Sequence, residues 1–206
     1  MNRIGVLLSG RGSNFLALHT AIERGELPAR IVLVLSNVAG APGLDRAREL
    51  GLPAVAIPHR GEPSRQAHEE KVIAALKAAG AEWVCLAGYM RLLSPAFVAA
   101  FPRRMVNIHP SLLPAFPGVD AQEQALAHGV KVSGCTVHLV DEGLDSGPIV
   151  VQRAVPVLDG DDPRSLSARI LEQEHLAYPE AMRRLLTEPW RIEGRRLLFG
   201  AGDIGG

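Results

Sequence analysis

The sequence predicts an α/β fold: a mostly parallel twisted sheet with helices on both faces, and antiparallel strands toward the C-terminus. Three observations carry this. Apolar runs of strand length alternate with segments of helical period as far as His128. The runs are apolar at nearly every position, as in strands covered on both faces. Beyond Lys131 the pattern changes to two longer strands joined by a polar turn, which can pair antiparallel and extend the sheet. The strand–helix alternation makes the first half Rossmann-like.

The elements follow in order. Strands are expected over Ile4 to Leu8, Ile31 to Leu35, Ala54 to Ile57, Trp83 to Ala87 and Met105 to Ile108. Helices are expected over Ser13 to Glu23, Leu44 to Leu50 and Arg65 to Ala79, the last two stopped by Gly51 and Gly80. Ser94-Pro95 opens a short helix, with Ser as N-cap and Pro at the first helical position. A helix over Ala121 to His128 precedes the long strands Lys131 to Val140 and Ile149 to Leu158. Asp162-Pro163 starts a last helix toward Tyr178, where Pro179 is expected to break or kink it. Arg195 to Phe199 reads as a short strand. One domain over residues 1–200 with a flexible tail at 201–206 is the expected organisation.

With 206 residues, 47% hydrophobic and 21% charged, the chain can bury a substantial core. The net charge of zero gives no electrostatic case for nucleic acid or an anionic membrane as partner. No apolar run reaches the length of a membrane span, and the N-terminus enters a strand at once without a signal-peptide pattern. Cys85 and Cys135 sit in apolar strand runs and read as two buried thiols of a cytoplasmic protein; sequence does not decide whether they pair. Their spacing makes no zinc site, so no metal is expected.

Ser9-Gly10-Arg11-Gly12-Ser13-Asn14 joins the first strand to the first helix. Glycine there permits positive φ and close backbone approach, and Ser13 and Asn14 are good N-cap residues. Free N–H groups at a helix start suit a phosphate. A dinucleotide is disfavoured, because Phe15 stands where the third glycine would be and Ser36-Asn37 end the second strand without an acid. A P-loop is excluded, since no Gly-Lys-Ser/Thr follows. A phosphate monoester fits best, although a tight turn shaped by glycine alone uses the same residues.

Met105-Val106-Asn107-Ile108-His109-Pro110-Ser111-Leu112-Leu113-Pro114 is the most informative stretch. Residues two apart in a strand share a face, about 7 Å apart, so Asn107 and His109 point the same way. They do so at the C-terminal end of the strand, where open parallel sheets place ligands. A lone histidine there is ordinarily satisfied by backbone. An amide beside an imidazole can in addition hold a carbonyl oxygen as it becomes an oxyanion, and imidazole moves protons near neutral pH. The acidic turn Asp141-Glu142-Gly143-Leu144-Asp145-Ser146-Gly147-Pro148 is either a solvated connection or the source of a carboxylate, Asp145, facing His109.

Asn107-Ile108-His109-Pro110-Ser111-Leu112-Leu113-Pro114, together with Leu144-Asp145-Ser146-Gly147-Pro148, resembles the catalytic motif of the formyltransferase family that uses 10-formyltetrahydrofolate. The resemblance spans nearly the whole chain. Gly10-Arg11-Gly12-Ser13-Asn14, Leu86-Ala87-Gly88-Tyr89-Met90-Arg91-Leu92-Leu93-Ser94-Pro95 and Gln173-Glu174-His175 are most similar to the branch that formylates glycinamide ribonucleotide in purine synthesis. The resemblance implies that Asn107 and His109 stabilise an oxyanion and that Asp145 shuttles a proton. It implies a phosphate and ribose site at Gly12, Ser13, Asn14 and Glu174. It implies a folate pocket lined by Met90, Arg91, Leu92, Leu93, Asn107, Val140, Asp141 and Asp145, with Arg65 near the folate tail. Co-substrate and substrate would be 10-formyltetrahydrofolate and glycinamide ribonucleotide, with no metal, and the protein would be a monomer or homodimer.

One departure stands out: Val119-Asp120-Ala121-Gln122 follows Pro117-Gly118, where many family members carry histidines. Two other functions stay open. One is a sister enzyme on the same core, either a formyltetrahydrofolate hydrolase or a formyltransferase for a charged tRNA or nucleotide sugar; those usually need further domains. The other is a non-catalytic sensor of a phosphorylated ligand.

Overall fold

The computed structural model describes residues 1–200, so the tail expected at 201–206 lies outside the described residues. The chain forms β1 (Asn2–Leu8), α1 (Ser13–Glu23), β2 (Ala29–Ser36), α2 (Pro42–Glu49), β3 (Ala54–Ala56), α3 (Arg65–Ala78), β4 (Trp83–Leu86), α4 (Pro95–Ala100) and β5 (Met105–His109). It continues with α5 (Ala121–Ala127), β6 (Val132–Leu139), β7 (Ile149–Pro156), α6 (Pro163–Thr187), β8 (Trp190–Glu193) and β9 (Arg196–Phe199). The strands make one sheet in the order β3-β2-β1-β4-β5-β6-β7-β9-β8. The first five are parallel; β6 runs antiparallel to β5 and to β7, as expected from the change of pattern after Lys131.

Alternate residues of the parallel strands feed two cores. Val6, Leu8, Trp83 and Cys85 pack with Phe15 and Leu18 of α1, Leu44 of α2 and Tyr178 of α6. Leu7, Leu35, Val84 and Leu86 pack with Val72 and Leu76 of α3 and Phe97 of α4. This double coverage is why the strands lack polar alternation. The strand order reverses between β1 and β4, which opens a crevice at the carboxyl ends of those strands. Tyr178 donates its hydroxyl proton between two carbonyls there, Leu86 O at 3.0 Å and Val106 O at 2.9 Å, and so spans β4 and β5 from below.

Two expectations are corrected. Helix α6 does not end at Pro179; it runs on to Thr187. Burial of Ala181, Met182 and Leu185 beyond the proline outweighs a penalty of about 3 kcal/mol for proline inside a helix. Strand β8 was not expected, because Arg191 and Glu193 dilute its apolar signal; only Trp190 and Ile192 face inward, and Gly194 turns the chain into β9.

At Gly134 in β6, a Cβ would lie 2.0 Å from Arg153 O and 3.0 Å from Ala154 Cα, both backbone atoms of the neighbouring strand. Gly134→Ala is therefore expected to cost roughly 3 kcal/mol or more in urea unfolding, at the severe end of overpacking; a loss below about 1 kcal/mol would mean that β7 can move away.

Candidate active site

The pairing of β5 with β6 sets Asn107 opposite His138 and His109 opposite Thr136. Both strands bring two polar side chains to one face at the end of an otherwise apolar segment. Thr136, fully buried, holds the loop beyond β5: it donates to Ser111 O at 2.7 Å and accepts from Leu113 N at 3.0 Å. That loop turns back so that Phe116 O accepts a hydrogen bond from His109 Nε2 at 2.8 Å.

Asp145 reaches the same place from the β6–β7 connection. Its Oδ2 lies 3.4 Å from His109 Nδ1 and its Oδ1 lies 3.7 Å from His138 Nε2, with the side chain 12% exposed. Gly118 N–H donates to Oδ2 at 2.8 Å, which fixes the carboxylate from the opposite loop. The expected meeting of Asp145 with His109 is therefore present in the fold.

His138 was missed in the sequence. Its Nδ1–H donates to Leu139 O at 2.9 Å, and burial holds its pKa below the ordinary imidazole value, so the ring is neutral with a lone pair on Nε2. Asn107 Nδ2 lies 3.2 Å from that lone pair and donates to it, which fixes the amide and leaves its second N–H for another acceptor. The signal available was Thr136-Val137-His138, polar residues two apart in an apolar strand, the same pattern as Asn107-Ile108-His109.

A cavity of about 740 Å³ opens above these groups. Every expected folate-site residue lines it: Arg65, Met90, Arg91, Leu92, Leu93, Asn107, Val140, Asp141 and Asp145, joined by His109. Glu142 lines it as part of the acidic 141–145 loop, and Tyr89 and Gly118 line it without having been expected. Asp120 and Gln122 also face it, at the start of α5. Met90 and Leu92 are 75% and 63% exposed, which rules them out as core and leaves them as apolar rim.

The expected phosphate and ribose residues lie outside that cavity, across the ends of β1 and β4. Gly12, not Ser13 or Asn14, occupies the N-cap of α1, with φ 74° and no side-chain cap. Its Cα side faces Gly43, where a Cβ would meet backbone at 3.1 Å, so the loop needs glycine for conformation and for approach. Asn14 instead turns inward and donates from Nδ2 to Glu174 Oε2 at 2.7 Å. Glu174 is 7% exposed and burial raises its pKa; Asn14 Oδ1 is buried without a partner among the described residues. Ser13 lines a separate groove between α1 and α6. Ser9 ties the two regions together: its N–H donates to Gly88 O at 3.0 Å, and its hydroxyl accepts from Met90 N at 2.8 Å.

Residues 2–182 match the formyl transferase family. The chain belongs to that family. It is 40% identical to phosphoribosylglycinamide formyltransferase of Escherichia coli (strain K12), over 93% of this chain and 88% of that one. It is 51% identical to the trifunctional purine biosynthetic protein adenosine-3 of Drosophila pseudoobscura pseudoobscura over 87% of this chain, but spans only 13% of that relative's length. The crystal structure of glycinamide ribonucleotide transformylase 1 from Symbiobacterium toebii superposes with a TM-score of 0.95 at 51% identity, covering 97% of this chain and 94% of that one. The fold and the arrangement of strands are thus those of a formyltransferase. No helix among the described residues is long and apolar enough to cross a membrane.

Glu174 yields a test by linkage. Its pKa in the folded protein lies above the ordinary 4.5, so its contribution to stability is full below that pH and is lost as pH rises through the folded value. Glu174→Gln keeps an acceptor for Asn14 without the buried charge. Its stability relative to wild type is expected to climb as pH rises from about 4.5 and then level off, in urea unfolding across pH. A difference that does not change with pH would contradict the assignment.

Proposed function

We propose that the protein transfers the formyl group of 10-formyltetrahydrofolate to the amine of glycinamide ribonucleotide, giving formylglycinamide ribonucleotide and tetrahydrofolate in purine synthesis. The observation that carries the reading is the convergence of Asn107, His109 and Asp145 at the floor of the cavity, with Asp145 3.4 Å from His109. The reading makes it a monomer or homodimer acting on small molecules. The free, buried Cys85 and Cys135 suit a reducing compartment such as the cytoplasm.

The amine lone pair attacks the formyl carbon on folate N10, and the carbonyl π electrons move onto oxygen. The free N–H of Asn107 donates to that oxyanion. His109 donates from Nε2 to Phe116 O, and its Nδ1 edge lies 3.4 Å from Asp145 Oδ2, so the ring is held between the oxyanion position and the carboxylate. Asp145 takes the proton leaving the amine. Collapse then breaks the bond to N10, whose electron pair takes that proton from Asp145 as tetrahydrofolate departs, and Asp145 is again a carboxylate.

Gly12 and the N-terminus of α1 would hold the ribonucleotide phosphate through backbone N–H groups, with Ser13 adding its hydroxyl. Asn14 contributes backbone N–H here, since its amide is committed to Glu174. Glu174 and the unpartnered Asn14 Oδ1 are acceptors suited to ribose hydroxyls. On the other side, the pterin would enter between Leu93, Val140 and Asp141, with Met90, Arg91 and Leu92 along the rim and Arg65 toward the glutamate tail. Asp120 and Gln122 would replace imidazole with a carboxylate and an amide on that wall.

Purified protein mixed with both substrates is expected to release folate product, followed by absorbance, and to release none when the ribonucleotide is omitted. Product without the ribonucleotide would make the protein a hydrolase. Asp145→Asn and His109→Ala should each lower kcat by about 10²–10³ while leaving substrate binding within a few fold; turnover near wild type in either variant would remove that residue's role.

A further inference from the structure

Glu69 of α3 is a carboxylate only 4% exposed, beside the cavity and outside the reaction described above. It has three donors. Arg65 Nε donates to Oε1 at 3.0 Å, Ser94 N–H donates to the same oxygen at 3.0 Å, and the Ser94 hydroxyl donates to Oε2. Arg65 and the Tyr89–Leu93 segment both line the cavity, and Ser94, directly after that segment, is the N-cap of α4. One buried carboxylate therefore joins these two lining elements.

The contact with Arg65 has a direction. Only Nε is engaged, so the two terminal nitrogens of the guanidinium remain as a fork. The Arg65 side chain is 45% exposed and would otherwise be free to sweep through its rotamers. A guanidinium held at Nε presents its fork in one orientation, which suits bidentate recognition of a carboxylate.

We propose that Glu69 is a positioning residue that orients Arg65 to receive the glutamate-tail carboxylate of the folate co-substrate, and so sets preference for tail-bearing folates. This rests on the folate reading of the cavity given above. Two effects oppose each other here. Glu69 also offsets the positive charge of Arg65, so its removal strengthens the field felt by an anionic tail. That field acts through solvent and is screened over about 8 Å at physiological salt, whereas orientation is lost outright. Orientation is expected to win.

The test is equilibrium binding of tetrahydrofolate and of tetrahydropteroate, which lacks the glutamate, to wild type, Glu69→Ala, Arg65→Ala and the double variant. No amine acceptor is needed, so a wrong assignment of the ribonucleotide would leave this result standing. Wild type is expected to prefer the tail-bearing ligand roughly tenfold, the scale of one charge-assisted contact. Glu69→Ala, which removes the acceptor of Arg65 Nε, should remove most of that preference while binding tetrahydropteroate within twofold of wild type. In the Arg65→Ala background it should remove nothing more. Because a ratio between two ligands is insensitive to a general loss of folded protein, a marginally stable variant still reports. Equal weakening toward both ligands, tighter binding of the tail-bearing one, or further loss of preference without Arg65 would each overturn the proposal. A wild type that binds neither ligand would overturn the folate reading itself, and the inference with it.

Discussion

A carboxylate taken out of water must be met by donors, and the candidate site is arranged around that requirement. Asp145 is 12% exposed and sits between two imidazoles, with one firm hydrogen bond, from Gly118 N–H. Satisfying it requires two loops distant in sequence to close on each other. The Asp145 backbone itself is left-handed, φ 48°, a conformation that costs a non-glycine residue roughly 1 kcal/mol or more. The connection compensates locally: Asp141 Oδ1 accepts from Gly143 N and from the Ser146 hydroxyl, and Arg195 reaches from the β8–β9 turn to Ser146 O at 2.8 Å. The last hairpin, remote from the chemistry in sequence, thus braces the loop that delivers the acid.

The rest of the site inherits its precision from strands. Asn107, His109, Thr136 and His138 are placed by a cross-strand register, and a slip of one residue in either strand would turn that strand's two to the other face. The apolar neighbours Val106, Ile108 and Val137 prevent that slip, because they would be exposed in exchange. The geometry of the candidate site is in this sense a by-product of core packing. The order in which the groups are fixed also follows: Leu139 O fixes the tautomer of His138, and the lone pair of His138 fixes the amide of Asn107.

What the sequence disclosed and what it hid divide along the same line. Period-two spacing within one strand identified Asn107 and His109, and the change of pattern after Lys131 identified β6 and β7. His138 carried the same spacing, but its significance depends on which residue it faces, and register is a property of two strands. The N-cap of α1 went to Gly12 because the left-handed backbone there was worth more than a side-chain cap from Ser13. Pro179 was misleading because intrinsic propensity was read without the burial of the helix beyond it. Asn14 was expected at the phosphate, and its partner Glu174 in the same site; only the folded chain shows that the two side chains bind each other.

That pairing bears on how two substrates are held in one geometry. Asn14 and Glu174 form a buried polar pair in which one acceptor, Asn14 Oδ1, has no partner among the described residues, an arrangement that costs stability. The loop carrying this pair is coupled to the opposite cavity through Ser9, whose backbone pairs with Gly88 and whose hydroxyl takes the Met90 N–H and gives its own proton to Asn37 Oδ1 at 2.6 Å. Strands β1 and β4 are hydrogen-bonded neighbours, about 4.8 Å apart. On the proposed assignment, the amine and the formyl group would approach from the two sides of this hydrogen-bonded pair of strands, and positioning of that kind contributes to rate by removing the entropy of bringing two reactants together.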